Sequence, residues 1–329
     1  MIGSEELERE ILSRLERELR KEELLSQVPS LQGVVESYLR RGAKLLRPML
    51  LLEAASAYET ETPISTEPLY ELAAATELLH VFALMHDDRI DASGRPGVPA
   101  AETPGKLPFL VLAGDLLHTI AVEMIHDAVK SWNLSPAIPG WVRTVSVRTI
   151  AGQALELSRF GDSASLPDVD ALFRLYDLKT GYYSFVAPLI IGALAARGER
   201  DAGNLTEADL PMLEEIGLLL GRAFQLKDDA EDTARLARET NGVDLPPWEL
   251  GLLLTYLARE GKEEVARRIL RENQNRRATL GGLSLEPLTA WASHTAGSLL
   301  AEAEEIARRL SIFRGARLVE RTASIAELR

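Results

Sequence analysis

Two stretches of the chain carry the same trio of aspartates. In "LLHVFALMHDDRIDASGRPG", residues 78 to 97, Asp87, Asp88 and Asp91 close an apolar run. In "GRAFQLKDDAEDT", residues 221 to 233, Asp228, Asp229 and Asp232 repeat that spacing. On a helix the first and last aspartate of each trio lie four residues apart, so both project from one face about one turn apart and can grip one hard cation. Magnesium suits such all-oxygen ligands, because it binds through one or two carboxylates, keeps several waters and completes its shell with phosphate oxygens. A single acidic cluster would read as a solvated face. Two copies, each following apolar residues ("VFALMH", "AFQL"), point instead to the mouth of a core, with a diphosphate held between two helices.

The elements that must position these carboxylates are helices. Apolar residues recur at three and four spacing nearly everywhere, and alternating strand patterns are almost absent, so the chain reads as all-α. Breaks rich in Pro, Gly, Asn and Asp at 26–30, 59–68, 91–106, 133–140, 160–168, 196–211, 240–247 and 278–287 delimit roughly ten helices. No linker-like low complexity or solenoid repeat interrupts them, so a single helical domain over residues 1–329 is expected. At 46% hydrophobic, 329 residues can enclose a pocket. The 50 acidic and 37 basic residues give a formal charge of −13, which argues against a nucleic-acid partner and is compatible with sites that hold cations. There is no cysteine, which excludes disulfides and thiolate metal sites. The N-terminus alternates charge with leucine, unlike a secretory signal, and the longest apolar run, 185–196, is too short to span a bilayer. A cytoplasmic protein without stable membrane insertion is the expectation.

With both aspartate motifs in view, the chain resembles the trans-isoprenyl diphosphate synthases, the polyprenyl synthetase family. The resemblance also runs through "GAKLLRP" (42–48), "ELLHVFALMHDD" (77–88), "LAGDLL" (112–117), "GQALEL" (152–157), "KTGYYS" (179–184) and "FQLKDD" (224–229), in the family's order. It implies an isoprenoid synthase-type bundle of antiparallel helices around a central cavity, with the two motifs facing each other at its mouth. The reaction implied is a condensation. Three magnesium ions held by Asp87, Asp88, Asp91, Asp228, Asp229 and Asp232 would make an allylic diphosphate a leaving group, and the resulting cation would be attacked by isopentenyl diphosphate. By the same resemblance Lys44, Arg47 and His80 take isopentenyl diphosphate, and Arg95 and Lys179 take the allylic diphosphate. Thr180, Gln225 and Gln153 lie near the developing cation. A homodimer is implied too. Taken alone, His80 would read as a core histidine and Lys179-Thr180 as helix surface. Only seven of the 37 basic residues are lysines, which adds weight to the placement of Lys44 and Lys179 on the motif.

Three departures from the family pattern stand out. Where the family usually has two arginines, Pro96 replaces the second, a usual contact for isopentenyl diphosphate, and "DLPPWELG" puts Trp248 and Glu249 where a glycine and a diphosphate-binding lysine are expected. Glu156 stands for the usual aspartate after Gln153. Arg41, Arg235 and Arg238 are candidates to compensate. The readings left open are a chain-elongating prenyltransferase, a synthase-like terpene cyclase or diphosphate lyase, and a non-catalytic partner subunit of an active synthase. Phe82, five residues before Asp87, with the small Ala83 beside it, resembles enzymes making C15 or C20 products, leaning to geranylgeranyl diphosphate. Phe82 reads equally as core packing.

Overall fold

The computed structural model describes residues 4–21, 23–39, 45–58, 65–91, 107–161, 166–197, 208–239, 250–274, 283–310 and 315–328. Among these residues every regular element is a helix, which matches the all-α expectation. In chain order they are α1 (Ser4–Lys21), α2 (Glu23–Ser26), α3 (Pro29–Leu39), α4 (Leu46–Tyr58), α5 (Thr66–Asp91), α6 (Leu107–Trp132), α7 (Ile138–Gly161) and α8 (Val169–Tyr176). A π-helical segment (Asp177–Val186) follows, then α9 (Ala187–Arg197), α10 (Asp209–Glu239), α11 (Gly251–Arg259), α12 (Glu263–Gln274), α13 (Glu286–Ala307) and α14 (Gly315–Ile325). Short pieces such as α2 and α11 make the segments more numerous than the roughly ten expected.

The amphipathic pattern explains which faces turn inward. α1 alternates charge with Leu7, Ile11 and Leu15, and those three are buried. Arg14, buried between them, donates to Glu71 at 2.8 Å and Glu67 at 2.7 Å, fastening α1 to α5. At the other end of the chain, Arg321 of α14 pairs at 2.5 Å with the buried Glu53 of α4. Between these ties runs one continuous hydrophobic cluster from Leu7 to Leu328, to which each fully buried Leu, Ile or Phe contributes about 1.5–3 kcal/mol.

The centre of the fold is the rod formed by α8, the π-helix and α9. Phe185, Val186, Leu189, Ile190 and Ile191 are all fully buried. Two neighbours press directly on its backbone. A Cβ at Gly152 of α7 would stand 2.7 Å from the Lys179 nitrogen, and one at Gly221 of α10 would stand 2.6 Å from the Gly181 Cα. Only glycines allow α7 and α10 to sandwich the π-helix this closely.

Two helical stretches, Pro108–Trp132 and Val169–Ala196, are long and apolar enough to cross a membrane by length and composition. The second of them is the core rod itself. The first lies along α5 as part of α6, with less than half of its apolar window buried.

Candidate active site

A cavity of about 600 Å³ opens where α5, α7, the π-helix and α10 meet, with its mouth bordered by the chain's last turn. That size falls in the ordinary range for small-molecule sites. Asp87 from α5 and Asp228, Asp229 and Asp232 from α10 line it, so the two motifs share one space. The four-residue spacing explains the second motif: Asp228 and Asp232 sit one turn apart on the cavity face. Among the described residues no three such side chains converge closely enough to chelate one ion alone. This suits a cation that takes one or two carboxylates from each side and fills its shell with water and phosphate oxygens. The donor set is all oxygen, which fits magnesium.

Asp87, Asp88 and Asp229 are each gripped by neighbouring side chains. Gln153 Nε2 of α7 donates to Asp87 Oδ1 at 2.9 Å, and the Tyr38 hydroxyl of α3 donates to Asp88 Oδ2 at 2.6 Å. Across the cavity, Asp229 accepts from the Tyr176 hydroxyl at 2.5 Å and from Gln225 Nε2 at 2.7 Å. Thr180 Oγ1 in turn donates to Gln225 Oε1 at 2.8 Å, so an unbroken hydrogen-bond chain joins the π-helix to the second motif. Desolvation of Asp229, which is partly buried at the cavity wall, pushes its carboxyl up to about 6 despite the two donors; the Asp228 charge adds to the rise. The buried Tyr176 hydroxyl, next to that carboxylate, is held well above its ordinary value.

Lys179 reaches into the cavity between the motifs. Its Nζ donates to Glu156 at 2.6 Å and stands 3.7 Å from Asp87 Oδ1. The buried Glu156 thus aims the ammonium at the first motif, a task its extra methylene over aspartate does not prevent.

Deeper in the cavity Arg47 of α4 donates through Nη2 to Ser184 Oγ at 2.7 Å and to the Tyr183 hydroxyl at 3.2 Å, with its guanidinium 4.8 Å above the Tyr183 ring. His80 stacks on the other partner of this group, its ring 5.9 Å from that of Tyr183. Burial first, and Arg47 second, hold His80 well below its ordinary value. It is therefore neutral near pH 7 and can offer a diphosphate a hydrogen bond but no charge. One turn before it on α5, the buried Glu77 faces the same space, and among the described residues neither of its carboxylate oxygens has a hydrogen-bond partner. Burial raises its pKa against the pull of Arg47.

The expected site residues thus fall into three groups. Asp87, Asp228, Asp229, Asp232, Lys179, Thr180, Gln225, Gln153, Arg47 and His80 all border the one cavity, and Asp88 stands beside Asp87. Lys44, Arg95, Pro96, Trp248, Glu249, Arg41 and the side chains of Asp91 and Arg238 lie outside the described residues. Phe82 is the misplacement. It packs edge-on against His86 and His118 at 5.1 and 4.9 Å, while Val81, Ala83 and Leu84 line the cavity. The reason is helical geometry: four residues before Asp87 shares its face, whereas five residues before is turned well away, toward α6. Arg235 pairs with Asp232 at 2.5 Å.

Sequence reasoning missed Tyr38, Tyr176, Glu77, Tyr183 and Ser184. A lone tyrosine far along the chain gives no signal. Tyr183 and Ser184, however, lie inside the quoted "KTGYYS" and four residues after Lys179 and Thr180, which places them on the same side of a helix.

The polyprenyl synthetase family profile matches residues 28–280. The chain belongs to that family. Among curated relatives it is 29% identical over 241 residues to a geranylgeranyl diphosphate synthase of Sulfolobus acidocaldarius, covering 72% of this chain and 66% of the relative. To the farnesyl diphosphate synthase of Escherichia coli it is 31% identical over 214 residues, covering 60% of this chain and 65% of that one. The chain thus spans just under two thirds of the length of these two. Among solved structures, the geranylgeranyl pyrophosphate synthase of Corynebacterium glutamicum complexed with isoprenyl diphosphate and magnesium superposes with a TM-score of 0.75 at 19% identity, over 100% of both chains. The geranylgeranyl pyrophosphate synthase of Lactobacillus brevis gives 0.74 at 21%, over 98% of this chain and 97% of that one. At such identities the likeness is one of fold, and the fold is that of the isoprenyl diphosphate synthases.

Proposed function

We propose that this chain is a magnesium-dependent prenyltransferase that condenses isopentenyl diphosphate with an allylic diphosphate to give a C15–C20 product, geranylgeranyl diphosphate above all. The observation that carries this reading is the single cavity on which both aspartate motifs open, with Lys179 between them and Arg47 deeper in. Bound at the aspartates, magnesium would supply charge neutralisation for the allylic diphosphate as a leaving group. Lys179 holds the diphosphate's remaining charge. Thr180 and Gln225, linked to each other at 2.8 Å, turn oxygens toward the allylic carbon as its bond to oxygen breaks, stabilising positive charge without a nucleophile that would trap it. Arg47 takes the diphosphate of the second substrate, and His80, Lys44 and Arg95 complete the two anion sites as the family resemblance implies. With Phe82 turned toward α6, the wall below Asp87 is set by Ala83 and Leu84.

The same reading includes one helical domain over the whole chain, supported by the hydrophobic cluster from Leu7 to Leu328, and a cytoplasmic homodimer. What supports a dimer is an uncovered apolar stripe on α7. Val147, Ile150 and Leu157 are 55%, 59% and 40% exposed at helical spacing, and Leu112 of α6 is 55% exposed.

The test is incubation with labelled isopentenyl diphosphate and dimethylallyl, geranyl or farnesyl diphosphate, with and without magnesium, reading chain length. Longer diphosphates formed only with magnesium and both substrates are the expected result. Hydrocarbon or alcohol from the allylic substrate alone would make the chain a lyase, and no turnover with any pair would leave the partner-subunit reading.

A further inference from the structure

The π-helix that carries Lys179 and Thr180 is held from outside the cavity by a bidentate pair. Arg222 of α10 donates through Nε to Asp177 Oδ1 at 2.7 Å and through Nη2 to Asp177 Oδ2 at 2.6 Å, and its guanidinium lies 5.3 Å from the Phe173 ring of α8. Asp177 is the first residue of the π-helix. One π turn later, the Tyr182 hydroxyl donates to Glu214 of α10 at 2.8 Å. Arg148 of α7 donates to the same Glu214 oxygen at 2.8 Å and lies 4.1 Å from the Tyr182 ring. None of Asp177, Tyr182, Arg222, Glu214 and Arg148 lines the cavity, whereas Lys179, Thr180 and Tyr183 do.

This arrangement has a mechanical consequence. A π-helix has a wider turn and poorer backbone hydrogen-bond geometry than an α-helix, so its rotational setting depends on what its side chains grip. An α-helical setting of the same residues would swing Lys179 and Thr180 around the rod axis relative to Asp87 and Gln225. Two planar hydrogen bonds from a guanidinium fix an angle as well as a distance, which one ammonium cannot do. Arg222 also sits three residues before Gln225 and one turn and a half before Asp228, on the helix that carries the second motif. The pair thus ties the setting of the π-helix to the helix that faces it across the site.

We propose that Asp177 and Arg222 form a positioning clamp that sets the register of Lys179 and Thr180 against the two aspartate motifs, and so governs how fast the bound allylic diphosphate reacts more than how tightly it binds, because the aspartates and their metal would supply most of the grip on the diphosphate. The proposal rests on the prenyl-transfer reading. Neither residue touches substrate; both act through Lys179 and Thr180.

The experiment compares the wild-type chain with Arg222→Lys, Asp177→Asn and the double variant. It reads kcat, KM for both substrates, thermal midpoint, and binding of inorganic diphosphate with magnesium. Arg222→Lys keeps the charge and the stem but loses the fork, so it should fold. We expect kcat to fall about ten- to a hundredfold in each single variant, since small misplacements of reacting groups have effects of that order. KM and diphosphate affinity should stay within about twofold, and the double variant should be no slower than the singles, because both substitutions remove one interaction. Unchanged kcat in Arg222→Lys, or KM and diphosphate affinity changing in step with kcat, would overturn the clamp. Additive losses in the double variant would overturn it too. A wild-type chain that turns over no substrate pair would overturn the prenyl-transfer reading and the clamp with it, whereas an active wild type with indifferent variants would remove the clamp alone.

Discussion

At the first aspartate motif, at the end of α5, Asp87 accepts from Gln153 and Asp88 from Tyr38, with Lys179 approaching from the π-helix. At the second, the partly buried Asp229 takes Tyr176 and Gln225 as donors, and desolvation raises its carboxyl to about 6. The spacing is identical and the surroundings are not. A shared sequence pattern fixes which side chains share a helix face, but the elements packed against that face decide how tightly each carboxylate holds its charge. The second motif is tied to the π-helix through Tyr176 and Gln225, and at the first a bound cation would compete with the Lys179 ammonium for Asp87.

If both halves clamp one diphosphate, Asp87→Ala and Asp228→Ala should be equally crippling despite their different settings. Removing a carboxylate that neutralises a leaving group is worth several kcal/mol, so each should lower kcat/KM by roughly a thousandfold or more, read by labelled isopentenyl diphosphate incorporation. A loss at only one motif would break the symmetry of function that the shared cavity implies.

The halves should part company in metal-free stability. A carboxyl whose folded pKa is raised contributes stability that is fully present below its unfolded value and is lost as pH rises through the folded one. For Asp229 that window runs from its ordinary value near 3.8 to about 6. Asp229→Asn removes the desolvated charge, and at pH 7.5 without magnesium it should stabilise the protein by about 2 kcal/mol, whereas Asp88→Asn should change the thermal midpoint little. Thermal unfolding with a chelator present checks both.

A smaller difference should appear in the pH profile. Protons would compete with magnesium at Asp229, so magnesium-dependent activity should show an acid limb below about pH 6 that moves lower as magnesium is raised. Tyr176→Phe deletes a donor to the ionised carboxylate and should move that acid limb upward by about one pH unit, the equivalent of one charged hydrogen bond. Tyr38→Phe, at the first motif, should move it less.

The smallest expected effect on chemistry is at Phe82. Because it packs on His86 and His118 and not on the cavity wall, Phe82→Ala should lose about 2 kcal/mol of stability while leaving product length unchanged. A shift to longer products, seen by chromatography of the dephosphorylated prenols, would show that Phe82 acts as the chain-length stop.

Helix periodicity makes most of the fold and the paired aspartates legible in the sequence, whereas Lys179, Thr180, Gln225, Gln153, Arg47 and His80 are marked only by the resemblance to the family. The spacing of Asp228 and Asp232 places them on one face, and "KTGYYS" and "FQLKDD" point to residues that meet across 2.8 Å at Thr180 and Gln225. What periodicity cannot supply is the rotation of a helix about its own axis. Phe82 and Ala83 are adjacent in sequence, and only the packing of α5 on α6 decides which of them faces the substrate. The π-helix is hidden for the same reason, since "DLKTGYYSFV" has no compositional mark of a wider turn, and the glycines that let α7 and α10 press on it lie elsewhere in the chain. Tyr38 and Tyr176 reach their aspartates across separations of 50 and 53 residues, contacts that no local pattern announces.

The most direct test of the two-motif site is calorimetric titration of inorganic diphosphate into the purified chain, with magnesium and with a chelator, for the wild type, Asp87→Ala and Asp228→Ala. Binding that requires magnesium and is lost in either variant is the expected result. Diphosphate that binds without magnesium, or that still binds with full affinity when one motif is removed, would contradict a single diphosphate gripped between the two.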